Sequence, residues 1–238
     1  MHILFLTPMS QELQPLLDAQ VIDNSEPLPP DLTLYNGRLD AHDLSVGLLG
    51  IGKVNAAYAT TCYLLKTQPD LVVLFGAGGG VHQHLPQGTL HAAAYTWTHD
   101  YGAHEPARFV RWEPGALPIG DVIAPTPQPV DSRIKSTIEC AHPHVEWKTI
   151  ASGDAFINNS ELAQQLAQAG VDIVDMESSV VVDIASKFNC PTLVIRVVSD
   201  KADDNAHTDF TESLEDVCQR VTPDILAIMR TAIDALQD

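Results

Sequence analysis

Short apolar runs alternate with longer amphipathic stretches along most of the chain, and this pattern predicts alternating strands and helices. The run Leu71–Phe75 is apolar without interruption, as expected of a strand that is buried on both faces. The predicted strands are His2–Thr7, Leu32–Leu39, Leu44–Leu49, Leu71–Phe75, Thr89–Trp97, Val145–Ile150, Val171–Val174 and Thr192–Val198. The predicted helices are Gln11–Ala19, Lys53–Thr67, Asn159–Gln168, Glu177–Phe188 and Thr211–Leu236.

The order of these elements predicts an α/β fold, because strands and helices alternate along the chain. We expect a three-layer α-β-α arrangement around a central twisted sheet that is mixed or mostly parallel. No internal repeat and no long linker interrupts this order, so residues 1–238 are predicted to form a single domain. The irregular stretch His99–Pro118 is long enough to be a functional loop or an interface arm.

The composition narrows the possible functions. The 238 residues include 13 basic and 31 acidic ones, a formal net charge of −18, and no basic run. Binding to nucleic acid or to an anionic membrane surface is disfavoured, since both need clustered Lys and Arg. The first apolar run, Met1–Leu6, is too short for a signal peptide, which predicts a cytoplasmic protein. Widely separated cysteines are expected to be reduced thiols: Cys62, Cys140, Cys190 and Cys218.

Acidic residues follow the ends of predicted strands at separate points in the chain. Glu177 and Asp200 each come shortly after an apolar strand, and Glu12 lies in the opening turn of the first helix. Ligands of open α/β sheets are held at the carboxyl ends of the strands. Each acid taken alone fits a helix cap or a solvated helix residue. Taken together, the acids predict one polar pocket.

Other features near the strand ends fit either a site or ordinary structure. The glycines of Gly76–Gly80 would let backbone amides approach a ligand, or would form a tight turn leaving the sheet. Their spacing does not match a dinucleotide or triphosphate loop. Phe156 fits stacking on a planar ring as well as core packing, and Met176 fits a cavity floor or the core. Histidine pairs such as His82-Gln-His84 lack a third ligand, so no metal is expected.

Blocks of residues in the same order and spacing as in a known family are spread over nearly the whole chain. They are Met9–Glu12, Tyr35–Leu39, Gly50–Val54, Gly76–Gly80, Ser152–Ile157, Asp175–Glu177 and Ser199–Asp200. The hexapeptide Ser152–Ile157 is the most diagnostic of them. On these blocks the chain resembles the nucleoside phosphorylase superfamily, most closely the methylthioadenosine/S-adenosylhomocysteine nucleosidases.

The resemblance implies a nucleoside phosphorylase-like fold, a homodimer without cofactor or metal, and a nucleoside as small-molecule substrate. Enzymes of this family hydrolyse the N-glycosidic bond between adenine and a 5′-thio-substituted ribose. Asp200 matches the acid that protonates adenine N7, with Ser199 orienting it, and Glu12 matches the base that activates water. The transition state resembles an oxocarbenium ion, so it needs a protonated leaving group and a positioned nucleophile.

The same correspondence assigns the substrate contacts. Phe156 would stack on adenine, and the backbone of Ile157 would read the edge of the base. Glu177 would accept the ribose 2′- and 3′-hydroxyls, with Met176 against the sugar. The remaining matched positions are Ile51 and Phe210 near the 5′ substituent, Ala77, Gly78 and Gly79 beside the ribose or water, and Asp175 and Arg196 as further site residues.

The chain departs from the family pattern in places. Asp175 stands where Glu is more usual, and Ala77–Gly79 replaces the commoner Ser-Ala-Gly, which removes a hydroxyl near the ribose or water. Tyr101–Glu113 does not match the family's loop, which reaches across a dimer interface to close the partner's pocket. Phe109 is the predicted inserted aromatic residue and Pro118 its neighbour.

Water is predicted as the nucleophile rather than phosphate. A phosphorylase needs arginines to hold the phosphate dianion, and neither Thr7–Ser10 nor Gly76–Gly80 contains one. Glu12 would repel phosphate, and the strand position of Arg196 favours a supporting role. The open alternatives are a nucleosidase for another 5′-modified nucleoside (such as a futalosine-type hydrolase), a purine nucleoside phosphorylase, and a nucleoside-binding sensor without turnover.

Overall fold

Twelve strands and six helices form the part of the chain that the structure describes. The structure, a computed structural model, describes residues 1–106, 108–117 and 119–237, except for the side chains of residues 211–213. The strands are β1 His2–Thr7, β2 Ile22–Leu28, β3 Leu32–Leu39, β4 His42–Leu48, β5 Leu71–Gly80, β6 Leu90–Thr98, β7 Gly102–Glu105, β8 Arg108–Arg111, β9 Gln128–Pro129, β10 Glu146–Ser152, β11 Ile173–Asp175 and β12 Thr192–Asp200. The helices are α1 Ser10–Asp18, α2 Lys53–Thr67, α3 Ser132–Ala141, α4 Ser160–Gln168, α5 Ser178–Lys187 and α6 Ala206–Gln237.

Ten of the described strands form one mixed sheet in the order β11-β10-β6-β12-β5-β1-β4-β3-β2, with β9 paired to β6. The pairs of β1 with β4 and β5, and of β5 with β12, are parallel, whereas β2, β3 and β4 form an antiparallel edge. β11 also pairs with β5, so five strands close into a ring. The mixed sheet predicted from the sequence is confirmed.

Helices cover both faces of this sheet, which confirms the three-layer α-β-α prediction. Alternate residues of the inner strands face opposite helical layers. Phe5 and Val73 belong to a cluster with α1, α3 and α6, whereas Leu4 and Val72 belong to a cluster with α2 and α5. Because both faces are covered, these strands need no polar positions, and their sequences are continuous apolar runs.

Several segments that are distant in sequence meet at one edge of the sheet. Thr7 at the end of β1 pairs with Leu48 of β4, and Asp200 at the end of β12 pairs with Gly79 of β5. β11 runs antiparallel along the same end of β5, where Val174 also pairs with Gly79. The residues that follow β1, β4, β11 and β12 therefore lie side by side.

The segment Gly76–Gly80 continues strand β5, so the interpretation as a turn leaving the sheet is wrong. Glycine is required here because other groups occupy the space of a side chain. A Cβ at Gly76 would lie 2.1 Å from Arg196 Nη1, and one at Gly79 would lie 2.8 Å from Asp200 Oδ1. The glycines thus let two charged side chains lie directly against the sheet backbone.

Some elements differ from the sequence prediction. The stretch His99–Pro118 is not wholly irregular, because it contains a hairpin formed by β7 and β8. β2 is mostly polar because it lies at the sheet edge and pairs only with β3 in the described chain, so the apolar pattern does not reveal it. α3, also absent from the prediction, buries Ile134 and Ile138 on one narrow face. α6 begins at Ala206 rather than at Thr211.

Candidate active site

A cavity of about 360 Å³ lies at the edge of the sheet where β1, β5, β11 and β12 end. Glu12, Glu177 and Asp200, which are far apart in the sequence, all line this cavity. Its full lining consists of Pro8, Met9, Glu12, Ile51, Ala77, Gly78, Gly79, Phe156, Val174, Asp175, Met176, Glu177, Ser199, Asp200 and Phe210. The structure therefore brings the predicted acids together around one space.

Glu12 lies in the first turn of α1, and its carboxylate folds back toward the ends of β1 and β5. One oxygen accepts hydrogen bonds from the Thr7 hydroxyl at 2.9 Å and the Met9 N–H at 2.8 Å, and the other accepts from the Ala77 N–H at 2.8 Å. Burial raises the pKa of Glu12, while the positive charge of Arg196 and these hydrogen bonds oppose the increase.

Arg196 is a buried cation beside the cavity, and none of its surface reaches solvent. Its Nε donates to Asp175 Oδ2 at 2.7 Å, and its Nη2 donates to Glu177 Oε2 at 3.3 Å. Nη1 has no hydrogen-bond partner among the described residues and lies against Gly76, next to the Glu12 carboxylate. Burial acts to lower the pKa of Arg196, but the negative charges of Asp175, Glu177 and Glu12 outweigh it and raise the pKa. Arg196 thus compensates the charge of several buried acids.

Glu177 directly precedes α5 and is almost fully buried. Its Oε1 accepts a hydrogen bond from the Gly52 N–H at 3.0 Å, so it also contacts the turn between β4 and α2. Burial raises the pKa of Glu177 to about 7. The positive charge of Arg196 opposes this increase, whereas the negative charge of Asp175 adds to it. Glu177 therefore keeps its proton to a higher pH than an exposed glutamate does.

Asp175 ends β11 and lines the cavity, but its oxygens accept hydrogen bonds from the protein itself. The donors are the hydroxyls of Ser152 and Ser178, the Nε of Arg196, and the backbone N–H groups of Glu177 and Ser178. Asp175, although shorter than the Glu that is more usual at this position, therefore holds the guanidinium of Arg196 in place beside Glu177.

Asp200 is the last residue of β12 and is buried. Its Oδ2 accepts a hydrogen bond from the Ser199 hydroxyl at 2.8 Å, and its Oδ1 accepts one from the Ala202 N–H at 2.8 Å. Burial raises the pKa of Asp200, and these two hydrogen bonds oppose the increase. A carboxyl group with a raised pKa keeps its proton at a higher pH than usual.

The rest of the cavity wall is largely apolar. The rings of Phe156 and Phe210 meet edge to face, with centroids 5.8 Å apart. Phe156 is 45% exposed and Ile51 is 50% exposed, so apolar surface is open to a ligand here. Met176 is half-buried in the same wall. Ile157 lies outside the main cavity and lines a smaller adjoining one of about 30 Å³.

Pro8, Met9 and Val174 also line the cavity, although their side chains carry no chemical signal in the sequence. Pro8 and Met9 directly follow β1, and Val174 lies in β11, so proximity to a strand end is the signal that could have identified them. The hydroxyl of Ser178 is a further contributor that the sequence does not single out. It donates to Asp175, three residues earlier, and accepts from the Nε of Arg196 in β12.

Phe109, the aromatic residue predicted to close a partner's pocket, lies in β8. Its ring packs against His104 at an interplanar angle of 52°, with ring centroids 4.9 Å apart. It does not line the cavity of its own chain. Pro118 lies outside the described residues. Contact of either residue with a partner subunit stays a prediction.

The described residues contain no group of three His, Cys, Asp or Glu side chains arranged to hold a metal ion. His82 stacks on His84 with ring centroids 5.1 Å apart and lies 3.3 Å from Asp172. Among the helices of the described ranges, none combines the length and the apolar character that crossing a bilayer requires.

The arrangement is suited to acid–base chemistry on a planar, polar ligand. Burial raises the pKa values of Asp200 and Glu12 above those of exposed carboxyl groups, as is common for groups that transfer protons. The wall around Phe156 offers apolar contact to a ring. Within the described chain no Lys, Arg or His lines the cavity, so an anionic ligand would meet mainly acidic side chains.

The chain is similar in sequence to a known family of proteins. A profile of the phosphorylase superfamily matches residues 2–234. A 5′-methylthioadenosine/S-adenosylhomocysteine nucleosidase of Haemophilus influenzae strain PittEE is 29% identical over 216 residues, which cover 90% of this chain and 92% of that protein.

Solved structures of similar proteins share the fold. A futalosine hydrolase mutant of Helicobacter pylori strain 26695 has a TM-score of 0.82 at 23% identity, covering 98% of both chains. The 5′-methylthioadenosine/S-adenosyl homocysteine nucleosidase of Helicobacter pylori has a TM-score of 0.83 at 23% identity, covering 98% of this chain and 97% of that one. The resemblance inferred from the sequence blocks is confirmed, and the chain belongs to the phosphorylase superfamily.

Proposed function

We propose that this protein is an N-glycosyl hydrolase that releases adenine from 5′-methylthioadenosine, S-adenosylhomocysteine or both. The observation that carries the proposal is the convergence of Glu12, Glu177 and Asp200 on one cavity with an open aromatic wall. The similarity to a nucleosidase over 90% of the chain supports the choice of substrate class.

In the proposed reaction, water adds to ribose C1′ as the bond from C1′ to adenine N9 breaks. Asp200 donates a proton to adenine N7, and its raised pKa supports this assignment because burial favours the protonated form of the carboxyl group. Ser199 donates to Asp200 Oδ2, which leaves the carboxyl group in a defined orientation. The products are adenine and the 5-thio-substituted ribose.

Glu12 is the proposed base that takes a proton from the attacking water. Its three hydrogen bonds from the protein fix the carboxylate rigidly at the cavity wall. Glu177 would accept the ribose hydroxyls while Arg196 and the Gly52 N–H hold it in position. The nearby carboxylates would also favour the positive charge that develops on the ribose.

Water is preferred over phosphate because the described cavity lining is acidic and contains no cation. Arg196 is already paired with Asp175 and Glu177, which supports a role in holding the site rather than in binding phosphate. A phosphate dianion would have to displace these partners and approach Glu12.

We further propose that residues 1–238 work as one domain in a cytoplasmic homodimer. Exposed apolar residues on α2 support a partner surface, since Val54 is 78% exposed and Leu65 is 64% exposed. The four free cysteines fit a reducing compartment. Phe109 and Pro118 would then approach the cavity of the partner subunit.

The test is adenine release from a panel of 5′-substituted nucleosides, measured with and without phosphate. We expect methylthioadenosine and S-adenosylhomocysteine to be cleaved at the same rate in both conditions, with free ribose sugar as the second product. Phosphate-dependent formation of a ribose 1-phosphate would overturn the proposed hydrolysis. Binding without release would instead favour a sensor.

A futalosine-type hydrolase is the second candidate, because a futalosine hydrolase mutant shares the fold over 98% of both chains. Futalosine belongs in the same panel, with release of its own base measured in place of adenine. Cleavage of futalosine without cleavage of either adenine thionucleoside would replace the first proposal by this one.

A further inference from the structure

A charged cluster lies beside the cavity without lining it, and we call its members Lys53, Asp100 and Asp154 the Lys53 cluster. Lys53 Nζ is 2.6 Å from Asp100 Oδ1 and 3.6 Å from Asp154 Oδ2. All three side chains are partly exposed. Partly exposed ion pairs contribute little to stability, so we ask which segments of the chain this cluster holds in position.

The Lys53 cluster also includes backbone hydrogen bonds. Asp154 Oδ1 accepts from the Lys53 N–H at 2.7 Å, and Asp100 Oδ2 accepts from the Asp154 N–H at 2.7 Å. Burial acts to raise the pKa of Asp100, but the hydrogen bonds from Lys53 and from the Asp154 N–H lower it overall. Since Lys53 begins α2, Asp100 follows β6 and Asp154 follows β10, the cluster joins three separate segments.

Packing leaves these segments little freedom. A Cβ at Gly153 would lie 2.4 Å from the ring of His99 and 3.0 Å from Asp100 Cγ. The backbone before Asp154 therefore approaches Asp100 closely only because Gly153 has no side chain.

Two of the joined segments contribute to the cavity, one by holding a lining residue and the other by lining it directly. Gly52, immediately before Lys53, donates its N–H to Glu177 at 3.0 Å. Phe156, two residues after Asp154, lines the cavity with its exposed ring. The bond between the Lys53 N–H and Asp154 thus connects the group that holds Glu177 to the aromatic wall.

We propose that the Lys53 cluster positions the Gly52 amide and the Phe156 ring relative to each other. The proposal rests on the proposed function, because a nucleoside is the ligand whose ribose and base would meet Glu177 and Phe156. Lys53, Asp100 and Asp154 are positioning residues, since they act through their neighbours and do not line the cavity.

The test compares three variants with the wild-type protein. Asp154→Ala removes the acceptor of the Lys53 N–H, Lys53→Met removes the cation, and Lys53→Arg keeps it. We expect Asp154→Ala and Lys53→Met to raise the KM for methylthioadenosine roughly tenfold while kcat falls less than about threefold, because the affected contacts bind substrate and transition state alike. Lys53→Arg should return the KM to within about threefold of wild type.

Matched controls come from exposed ion pairs elsewhere on the surface. Asp183→Ala breaks the pair with Lys187, and Lys66→Met breaks the pair with Glu26. Both controls should leave the KM unchanged. The melting temperature of every variant should stay within about 4 °C of wild type, because partly exposed pairs contribute little.

Amide hydrogen exchange provides a readout that does not depend on activity. In Asp154→Ala, the amides of residues 52–54 and 154–156 should exchange at least about tenfold faster than in the Asp183→Ala control, because local opening becomes easier. If the wild-type protein releases no adenine from any nucleoside, the proposed function fails while the exchange rates still decide the role of the cluster. Unchanged KM and unchanged exchange would overturn the positioning role. The positioning role would also be overturned if the KM rose only in variants with a lowered melting temperature and Lys53→Arg did not restore it.

Discussion

At the scale of single residues, burial and neighbouring groups determine the pKa of each buried acid. Glu12 and Glu177 lie near the positive charge of Arg196, which opposes the rise in pKa that burial causes. The hydrogen bonds that oppose the rise for Asp200 come from the neutral groups of Ser199 and Ala202. Asp200 is therefore the acid whose surroundings best suit proton donation. The positive charge of Arg196 favours the ionised form of Glu12 and Glu177, so these acids are better suited to accept a proton or a hydrogen bond.

Asp200→Asn tests that assignment, because the amide keeps the shape of the side chain without its acidic proton. We expect kcat for adenine release to fall by at least ~100-fold, as is typical of a lost general acid. The circular dichroism spectrum should not change, and Asp183→Asn at an exposed position of α5 is the matched control. Turnover close to wild type would remove Asp200 from the role of general acid.

Arg196→Met tests the compensation of the buried acids. Removing one partner of a buried ion pair costs about 3–5 kcal/mol, so the free energy of unfolding should drop by that amount at pH 8. The pKa of Glu177 is raised from 4.5 to about 7, so the folded state binds more protons than the unfolded state between these values. Stability from this group is therefore present at low pH and is lost as the pH rises through about 7.

Without Arg196 the pKa of Glu177 should rise further, and protonation near pH 5 should relieve the uncompensated charge. The loss of stability should consequently be smaller at pH 5 than at pH 8 in urea unfolding curves. Arg230→Met, which breaks an exposed pair with Asp40, is the control and should leave the free energy of unfolding nearly unchanged at either pH. An equal loss at both pH values would show that Arg196 stabilises through packing rather than through charge.

At the scale of elements, the glycine-rich end of β5 connects the sheet to the charged groups of the site. The strand continues through Gly80, and its glycines leave room for Arg196 and Asp200. Sequence patterns predict the first half of this strand from its apolar residues. They do not predict the second half, because glycine weakens a strand unless a close neighbour requires it.

Gly76→Ala tests this close approach. The new methyl group would lie 2.1 Å from Arg196 Nη1 and 2.9 Å from Glu12 Oε1, so the guanidinium has to move. We expect a loss of about 1–3 kcal/mol in unfolding free energy, typical of overpacking, together with a clear fall in turnover. Gly80→Ala on the same strand is the control, since its methyl group would meet neighbours at 3.4 Å, an ordinary contact. Equal behaviour of the two variants would contradict the argument.

At the scale of the whole molecule, the chain leaves an apolar surface on α2 next to the cavity. Ile51 lines the cavity and is half exposed, and Val54 and Tyr58 follow it on the outer side of α2. A second copy of the chain covering this surface would remove apolar area from water and enclose the cavity mouth. This arrangement supports the proposed homodimer.

Val54→Asp tests the proposed dimer, because it would place a charge in a desolvated interface. We expect the dissociation constant from sedimentation velocity to rise about thirtyfold, which corresponds to roughly 2 kcal/mol. Gln164→Asp on the exposed side of α4 adds the same charge and should have no effect. A wild-type protein that sediments as a monomer at every concentration would refute the dimer.

The sequence by itself determined the layered α/β fold, the family and the acids that meet in the cavity. Continuous apolar runs indicate strands that are buried on both faces, and short motifs such as Ser152–Ile157 indicate the family and its site residues. Only the tertiary structure decided which acids pair with Arg196, in which direction burial shifts the pKa values of the acids, and which segments the Lys53 cluster joins. These properties depend on desolvation and on contacts between residues distant in sequence, and both arise only when the chain folds.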